Sequence, residues 1–209
     1  NGQKIGHAGT LDPLATGVLP IALGEATKTI PFVQDDLKTY SFTVTWGEQR
    51  DTDDAEGEII GTSENRPVRS DIESILPQFT GEIEQTPPRF SAIKINGQRA
   101  YDLARDGKIP DLKSRIVYIE EFHLKEARED EGTYVRSLAR DMGNLLGTKG
   151  YISALRREQV GCFTAQNSIS LDKLEDLDYV SARSEALLPL QIVLDDIPAL
   201  ALTQEETTK

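Results

Sequence analysis

The sequence predicts an α+β fold, in which a mixed, largely antiparallel sheet is flanked by helices. Short strand patterns and short helix patterns alternate along the 209 residues, and turn signals such as Asn96-Gly97 are typical of hairpins. The clearest strand pattern, Lys38 to Trp46, alternates polar and apolar residues, as a strand with one buried face does. A doubly wound parallel sheet would need longer continuous apolar strands.

A glycine-rich loop stands near the start of the chain, with the sequence GHAGTLDPLATG at residues 6–17. Glycine permits positive φ and close approach to a ligand, and Asp12 precedes a proline, which is typical of a turn. The apolar run at 18–23 predicts a short buried strand. Asp12 is therefore expected on a stiff, bent loop. The alternative is an aspartate that only caps its own turn.

The next elements follow from spacing. A short helix is predicted at 25–33, and Tyr40, Phe42, Val44 and Trp46 are predicted to share the apolar face of the following strand. Residues 48–57 are polar and acidic, which predicts a loop before a strand that starts at Glu58. Three signals predict the second helix. Ser70 and Glu73 form a capping box, and Pro77 should weaken the last turn. The apolar residues with helical spacing are Ile72, Ile75, Leu76 and Phe79.

The second half of the chain also predicts both strands and helices. The strands are expected at 90–98, 116–125, 132–136 and 151–163, and the helices at 100–105, at 137–146 before Gly147, and in two pieces after about 172. No internal repeat interrupts this order.

Composition limits the function. The net charge of −12 argues against broad, non-specific binding to nucleic acid, although it allows a local basic cleft. Cys162 is the single cysteine and His7 and His123 are the two histidines, so neither a disulfide framework nor a thiolate or histidine-rich metal site is expected. No apolar run reaches the length of a membrane span. We expect a soluble, cytoplasmic monomer without a metal.

The loop at 6–17 resembles the catalytic motif of the TruB family of pseudouridine synthases, which modify a uridine in the T loop of tRNA. The similarity continues, in the family's order, through the segments GEATK at 24–28, FSAIKING at 90–97, GTYVRSLARD at 132–141 and LRR at 155–157. The sequence departs from the family pattern at its start, where an N-terminal strand and a Lys-Pro motif are absent. It also departs near 128–132, where a strand is cut short. The resemblance implies a catalytic domain at 1–195 and the start of a truncated C-terminal PUA-like domain at 196–209.

The resemblance implies roles for three catalytic residues. Asp12 matches the essential aspartate, which acts as a nucleophile. Arg136 matches the arginine that pairs with this aspartate, and strand alternation would place Tyr134 on the same face of the strand, where both could reach one pocket and Tyr134 could bind the RNA. Tyr40 matches a tyrosine that stacks on the flipped base. Its spacing with Phe42 alone would make Tyr40 a core residue.

The resemblance also implies an RNA-binding set. His7 matches a histidine that holds the remodelled RNA loop, and Asp54 an acidic residue that contacts a second extruded nucleotide. Leu155 matches an apolar residue of the pocket, and Arg157 could meet phosphates. Without the resemblance, His7 is a structural hydrogen-bonding group, Asp54 belongs to a solvated loop or a weak cation site, Leu155 is core and Arg157 is solvated surface.

These matches imply an isomerase that converts the uridine at position 55 of the T loop to pseudouridine, by base flipping and without a cofactor. Two other classes remain open. One is a non-catalytic tRNA-binding or folding protein on the same scaffold. The other is an aspartate-dependent hydrolase unrelated to RNA, which would leave most of the motifs unexplained.

Overall fold

The structure is a computed structural model, and it describes residues 4–88, 90, 94–95, 97–100, 103, 112–125, 131–132, 136–177 and 186–194. The chain divides into two compact units. The first unit comprises Asn1–Leu11, Gly17–Thr39 and Arg157–Lys209, and the second comprises Asp12–Thr16 and Tyr40–Arg156. The helices in the described ranges do not have the length and hydrophobicity that spanning a lipid bilayer requires.

Short strands and short helices alternate along the chain. The strands are β1 (Ile5–His7), β2 (Ala15–Gly17), β3 (Ile21–Leu23), β4 (Lys38–Trp46), β5 (Glu48–Arg50), β6 (Ile59–Thr62), β7 (Gly81–Gln85), β8 (Lys94–Ile95), β9 (Gln98–Arg99), β10 (Arg115–Ile119), β11 (Glu131–Gly132), β12 (Gly150–Val160) and β13 (Phe163–Thr164). The α-helices are α1 (Ile30–Asp35), α2 (Arg69–Ile75), α3 (Arg136–Leu145) and α4 (Leu171–Glu175). Turns of 3₁₀ helix occupy Gly24–Thr29, Leu76–Phe79, Ala165–Asn167 and Leu190–Val193.

Antiparallel pairing dominates. In the second unit β11, β4 and β12 lie side by side, while β5 pairs with β6, β7 with β10, and β8 with β9. In the first unit β1 pairs with β3, and the end of β12 turns back into β13. An isolated parallel bridge joins Asp54 to Ile152. The predicted α+β fold is confirmed.

The core of the second unit forms where β4, α2 and α3 meet β12. Its buried apolar side chains are Phe42, Val44, Trp46, Ile72, Ile75, Phe79, Phe122, Leu138, Ala139, Met142, Ile152 and Leu155. The predicted apolar face of β4 is confirmed, and half-buried Tyr40 packs against this cluster. The helical spacing at 72–79 is also confirmed, with a change to 3₁₀ geometry at the turn that contains Pro77.

The first unit has a smaller core of Ala8, Val18, Val33 and Val160. The prediction of a buried strand at 18–23 is wrong. The strand β3 begins only at Ile21, and Ile21 and Leu23 are both exposed, at 55% and 41%. Among the described strands β3 pairs only with β1, and so narrow a ribbon buries less of each side chain than a wide sheet does.

Three other expectations need correction. The acidic loop at 48–57 begins with strand β5, and two of its aspartates are buried. Helix α2 begins at Arg69 instead of after Ser70, because Asp71 accepts the backbone N–H of Val68 at 3.3 Å. The strand expected at 116–125 ends at Ile119. The helix expected at 100–105 and the break near 128–132 lie largely outside the described residues, and the segment 196–209 lies wholly outside them.

Candidate active site

Asp12 lies at the start of a tight turn. Its carbonyl oxygen accepts the N–H of Ala15 at 2.9 Å, and Pro13 takes the second position of this turn, where a fixed φ is favourable. The turn is the stiff bend that the Asp-Pro dipeptide predicted. About a third of the Asp12 side chain remains exposed (33%), which leaves this carboxylate accessible.

Arg136 holds the Asp12 carboxylate. Its Nη2 donates to Oδ1 of Asp12 at 2.6 Å, and its side chain is only 8% exposed. Arg136 is the first residue of helix α3, so the prediction that it lies on a strand with Tyr134 is wrong. Tyr134 itself lies outside the described residues. The other face of α3 carries Leu138 and Met142 into the core, and this packing fixes where the guanidinium stands.

Asp54 is a second carboxylate on the same guanidinium. Its Oδ2 accepts from Nη1 of Arg136 at 3.3 Å, and the carbonyl of Phe90 accepts from the same nitrogen at 3.2 Å. Oδ1 of Asp54 accepts from the hydroxyl of Thr52 at 2.6 Å and from the N–H of Glu56 at 3.0 Å. Asp54 is 2% exposed, so the expectation of a solvated loop is wrong at this position.

A second ion pair, between buried Asp53 and partly buried Arg140, lies beside the first. Oδ2 of Asp53 accepts from Nη1 of Arg140 at 2.7 Å, one helical turn after Arg136. Arg140 also donates to the carbonyl of Thr86 at 2.8 Å and to Oδ1 of Asp141 at 3.0 Å. Sequence reasoning missed Asp53 and Arg140. The signal was present as two adjacent acidic residues and two arginines at i and i+4 of a helix.

Burial dominates the electrostatics of this second pair. It raises the pKa of Asp53 to about 6, against the opposing charge of Arg140, while Asp141 raises it further and Arg136 lowers it. Burial also raises the pKa of Asp141, against the charge of Arg140. The carboxyl of Asp53 therefore titrates close to neutral pH.

Arg157 is buried in the first unit, at 2% exposure. Its guanidinium donates to three backbone carbonyls, namely Val18 from Nε at 2.7 Å, Gly9 from Nη2 at 3.0 Å and Thr10 from Nη1 at 3.4 Å. The expectation of a solvated surface residue is wrong here. Arg157 ties together the two ends of the loop on which Asp12 lies.

The remaining candidate residues that the structure describes are Leu155, Tyr40 and His7. Leu155 is 6% exposed within the core of the second unit, and Tyr40 is half-buried at the edge of the same core. His7 is exposed on β1 in the first unit. The structure thus brings Asp12, Arg136 and Asp54 into contact. Over the described part of the chain, no group of three or more His, Cys, Asp or Glu side chains could hold a metal ion.

In this arrangement the accessible carboxylate of Asp12 is bound to the buried guanidinium of Arg136. Such a carboxylate can attack an electrophilic carbon, because the guanidinium orients it and a rigid turn carries it. The neighbouring buried carboxylate holds the other half of the guanidinium fork, so Arg136 cannot turn without losing a partner.

Solved structures share this fold at low sequence identity. A crystal structure of a Cbf5–Nop10–Gar1 complex contains a chain that matches with a TM-score of 0.62 at 23% identity, over 92% of this chain and 53% of that one. A structure of an H/ACA RNP bound to a substrate RNA containing 2′-deoxyuridine matches with a TM-score of 0.56 at 21% identity, over 92% of this chain and 52% of that one. The chain therefore shares its fold with the matched chains of these two complexes.

Sequence comparison identifies the family. The model of the TruB family pseudouridylate synthase N-terminal domain matches residues 1–140, and that of the tRNA pseudouridylate synthase B C-terminal domain matches residues 136–197. The chain belongs to the TruB family.

Close relatives bear the same family name. A tRNA pseudouridine synthase B of Bradyrhizobium diazoefficiens is 56% identical over the whole of this chain and 65% of its own length. That of Caulobacter vibrioides is 53% identical over 99% of this chain and 70% of its own length. The chain spans about two thirds of the length of these curated relatives.

Proposed function

We propose that the chain is the catalytic part of an isomerase that converts uridine to pseudouridine at position 55 in the T loop of tRNA. The observation that carries the proposal is the contact of Asp12 with Arg136 at 2.6 Å, on a loop whose sequence is the family motif. The names of the relatives point to tRNA as the substrate. Because Asp12, Arg136 and Asp54 all come from one chain, we propose that it acts as a monomer.

The proposed reaction is an isomerisation and needs no cofactor. The bond between C1′ of the ribose and N1 of uracil breaks, the base turns, and a bond forms between C1′ and C5. C5 then loses its hydrogen as a proton to solvent, and N1 gains a proton, so that the atoms balance. Asp12 acts as the nucleophile: its carboxylate forms a bond to the sugar or the base, and that bond breaks again within the reaction, so that the carboxylate is regenerated. Arg136 stabilises the charge of the carboxylate before the attack and after its release.

The other predicted residues keep their proposed roles around the flipped base. Tyr40 stacks on the base and Leu155 closes the pocket, both within the second unit. His7 and Tyr134 hold the RNA. The expected phosphate contact of Arg157 is not kept, because its buried guanidinium donates to the backbone carbonyls of Gly9, Thr10 and Val18; Arg157 supports the loop instead.

The T loop is a suitable place for base flipping. Extruding a base costs a few kcal/mol, and the cost is lower where the base is already unpaired. A minihelix that contains only the T arm should therefore be a substrate, and a fully paired stem of the same length should not.

The test is tritium release from a T-arm minihelix that carries 5-tritiated uridine. We expect wild type to release tritium and Asp12→Asn to bind the RNA without release. Asp35→Asn makes the same chemical change at an exposed position at the end of α1, and it should behave as wild type. Equal release by Asp12→Asn and wild type would overturn the proposal. Binding without release by wild type would favour the non-catalytic alternative.

A further inference from the structure

Two adjacent aspartates bind two different arginines of one helix. Asp54 binds Arg136, and Asp53 binds Arg140 one turn later on α3. Residues i and i+4 of a helix stand on the same face, so the two ion pairs lie side by side. Within the described residues, the hydrogen bonds of the second pair reach no residue of the loop at 6–17, whereas the first pair is joined to Asp12 of that loop through Arg136.

The backbone aims the side chain of Asp53 at the helix. Asp53 has φ of +61°, a left-handed conformation that aspartate tolerates better than most residues. Its N–H donates to the carbonyl of Arg50 at 3.1 Å, and its carbonyl accepts the N–H of Ile152 at 3.0 Å. The neighbouring N–H of Ala55 donates to the carbonyl of Ile152 at 2.9 Å, so the backbone on both sides of Asp54 is anchored.

Arg140 is fixed as tightly as its partner. Each of its three guanidinium nitrogens has an acceptor, which are Asp53, Asp141 and the carbonyl of Thr86. A lysine could not satisfy three acceptors in this fork-like arrangement. The geometry thus joins the acidic loop to α3 through a rigid contact.

We propose that Asp53 and Arg140 are positioning residues for the reaction. Their pair holds the acidic loop on α3, so that Asp54 keeps its bond to Arg136 and Arg136 keeps its orientation against Asp12. This inference rests on the proposed function. Neither residue touches the reacting atoms, and both act through Asp54 and Arg136.

The pair is strongest while Asp53 is ionised. The charged groups that act on Asp53 are Arg140, Asp141 and Arg136 from α3, with Asp54 beside it in the loop. The pKa of Asp53, raised to about 6, means that acidification below neutral pH removes its charge while the arginines keep theirs. Positioning should therefore weaken as the pH falls through about 6.

The experiment measures single-turnover conversion of the T-arm minihelix at saturating enzyme, together with the Kd for the RNA. Asp53→Asn keeps the size of the side chain and its tolerance of positive φ but removes the charge. Arg140→Lys keeps the charge and removes the fork. We expect each variant to lower the single-turnover rate about tenfold or more, since small displacements of catalytic groups are costly, with Kd within about twofold of wild type.

The matched control is Glu73→Gln. Glu73 forms an exposed i,i+4 pair with Arg69 on α2, in the same unit as the proposed pair. Its loss should leave both the rate and the Kd unchanged. The double variant Asp53→Asn/Arg140→Lys should lose little more than either single variant, because both changes remove the same contact.

A pH profile separates positioning from a merely structural role. The wild-type rate should fall below about pH 6, and in Asp53→Asn this inflection should be absent. A rate and profile of Asp53→Asn equal to wild type would overturn the inference while leaving the proposed function intact. If wild type itself releases no tritium, the proposed function fails, and the positioning role fails with it.

Discussion

Arg136 and Asp12 meet across 124 residues of chain, with Nη2 of the arginine 2.6 Å from Oδ1 of the aspartate. The arginine is buried and the aspartate is a third exposed. The buried guanidinium thus binds a carboxylate that solvent can reach, and its other side binds Asp54. We therefore expect stability and the proposed activity to depend on the same three side chains.

Removing the guanidinium should damage both properties. In Arg136→Met, buried Asp54 would lose its charged partner, and breaking a buried ion pair costs roughly 3–5 kcal/mol of unfolding free energy. Activity should be lost as well. Urea denaturation measures the first effect and tritium release the second. Arg69→Met, at an exposed pair on α2, should cost less than about 0.5 kcal/mol. A loss below about 1 kcal/mol in Arg136→Met would contradict the buried pair.

The guanidinium of Arg157 should stabilise the fold through its planar, fork-like geometry as well as through its charge. In Arg157→Lys the charge remains, but an ammonium cannot donate to the carbonyls of Gly9, Thr10 and Val18 together. Hydrogen bonds from charged groups are worth about 1.5–3 kcal/mol each, so we expect a loss of roughly 2 kcal/mol in the unfolding free energy. Arg69→Lys is the same change at an exposed position of α2, where a lysine can keep the ion pair with Glu73, and it should cost less than about 0.5 kcal/mol. Equal losses in the two variants would mean that the three carbonyl contacts add nothing.

The sequence predicted the elements whose pattern is local. The strand β4 and the helix around Ile72 were confirmed, because alternation and helical spacing record which face is buried. The turn at Asp12 was also confirmed, since proline restricts the backbone on both sides of it. The prediction of a buried strand at 18–23 was wrong, because an apolar run is buried only where a second layer packs on it.

The site was predicted less completely than the fold. The pairing of Asp12 with Arg136 was implied by a family resemblance, and spacing alone could not have given it. Burial of Asp53 and Asp54 depends on arginines more than 80 residues away, so an acidic run looks solvated until those partners are placed. Arg157 was expected at the surface for a similar reason. Its acceptors are backbone carbonyls, which every residue carries, so a sequence pattern cannot indicate them.

Gly17 should tolerate no side chain. It has φ of +101°, and a Cβ there would overlap the backbone carbonyl of Arg157. Gly81 is the matched control, with φ of +84° and open space around its Cβ direction. Gly81→Ala should cost about 1–2 kcal/mol for the left-handed backbone alone. Gly17→Ala should cost clearly more, as measured by urea denaturation. Equal losses would show that the loop can move away from Arg157.

RNA binding should weaken with salt although the chain carries a net charge of −12. The backbone of the T arm must meet local cations, and each neutralised phosphate adds about 0.7–0.9 to the slope of log affinity against log salt. We expect a slope of at least about 2 in magnitude for the minihelix, measured by filter binding from low to physiological salt. An affinity that does not change with salt would remove a cationic cleft from the proposed interface.

Asp53 should make stability and activity depend on pH in opposite directions. Its folded pKa of about 6 lies above the ordinary value of 3.8, so between these limits the folded state binds more protons than the unfolded state. The stabilisation is then complete below about pH 4 and is lost as the pH rises through about 6, by up to about 3 kcal/mol. Urea denaturation across this pH range should show that the unfolding free energy of wild type falls as the pH rises. In Asp53→Asn this fall should be smaller by up to about 3 kcal/mol. Asp141 acts on Asp53 and shares Arg140 with it, so the scan is repeated in an Asp141→Asn background, in which Asp53 alone of the two titrates. A difference that is flat with pH would mean that Asp53 has the same pKa in the folded and the unfolded chain. A difference that rises with pH would mean that its pairing with Arg140 outweighs its burial.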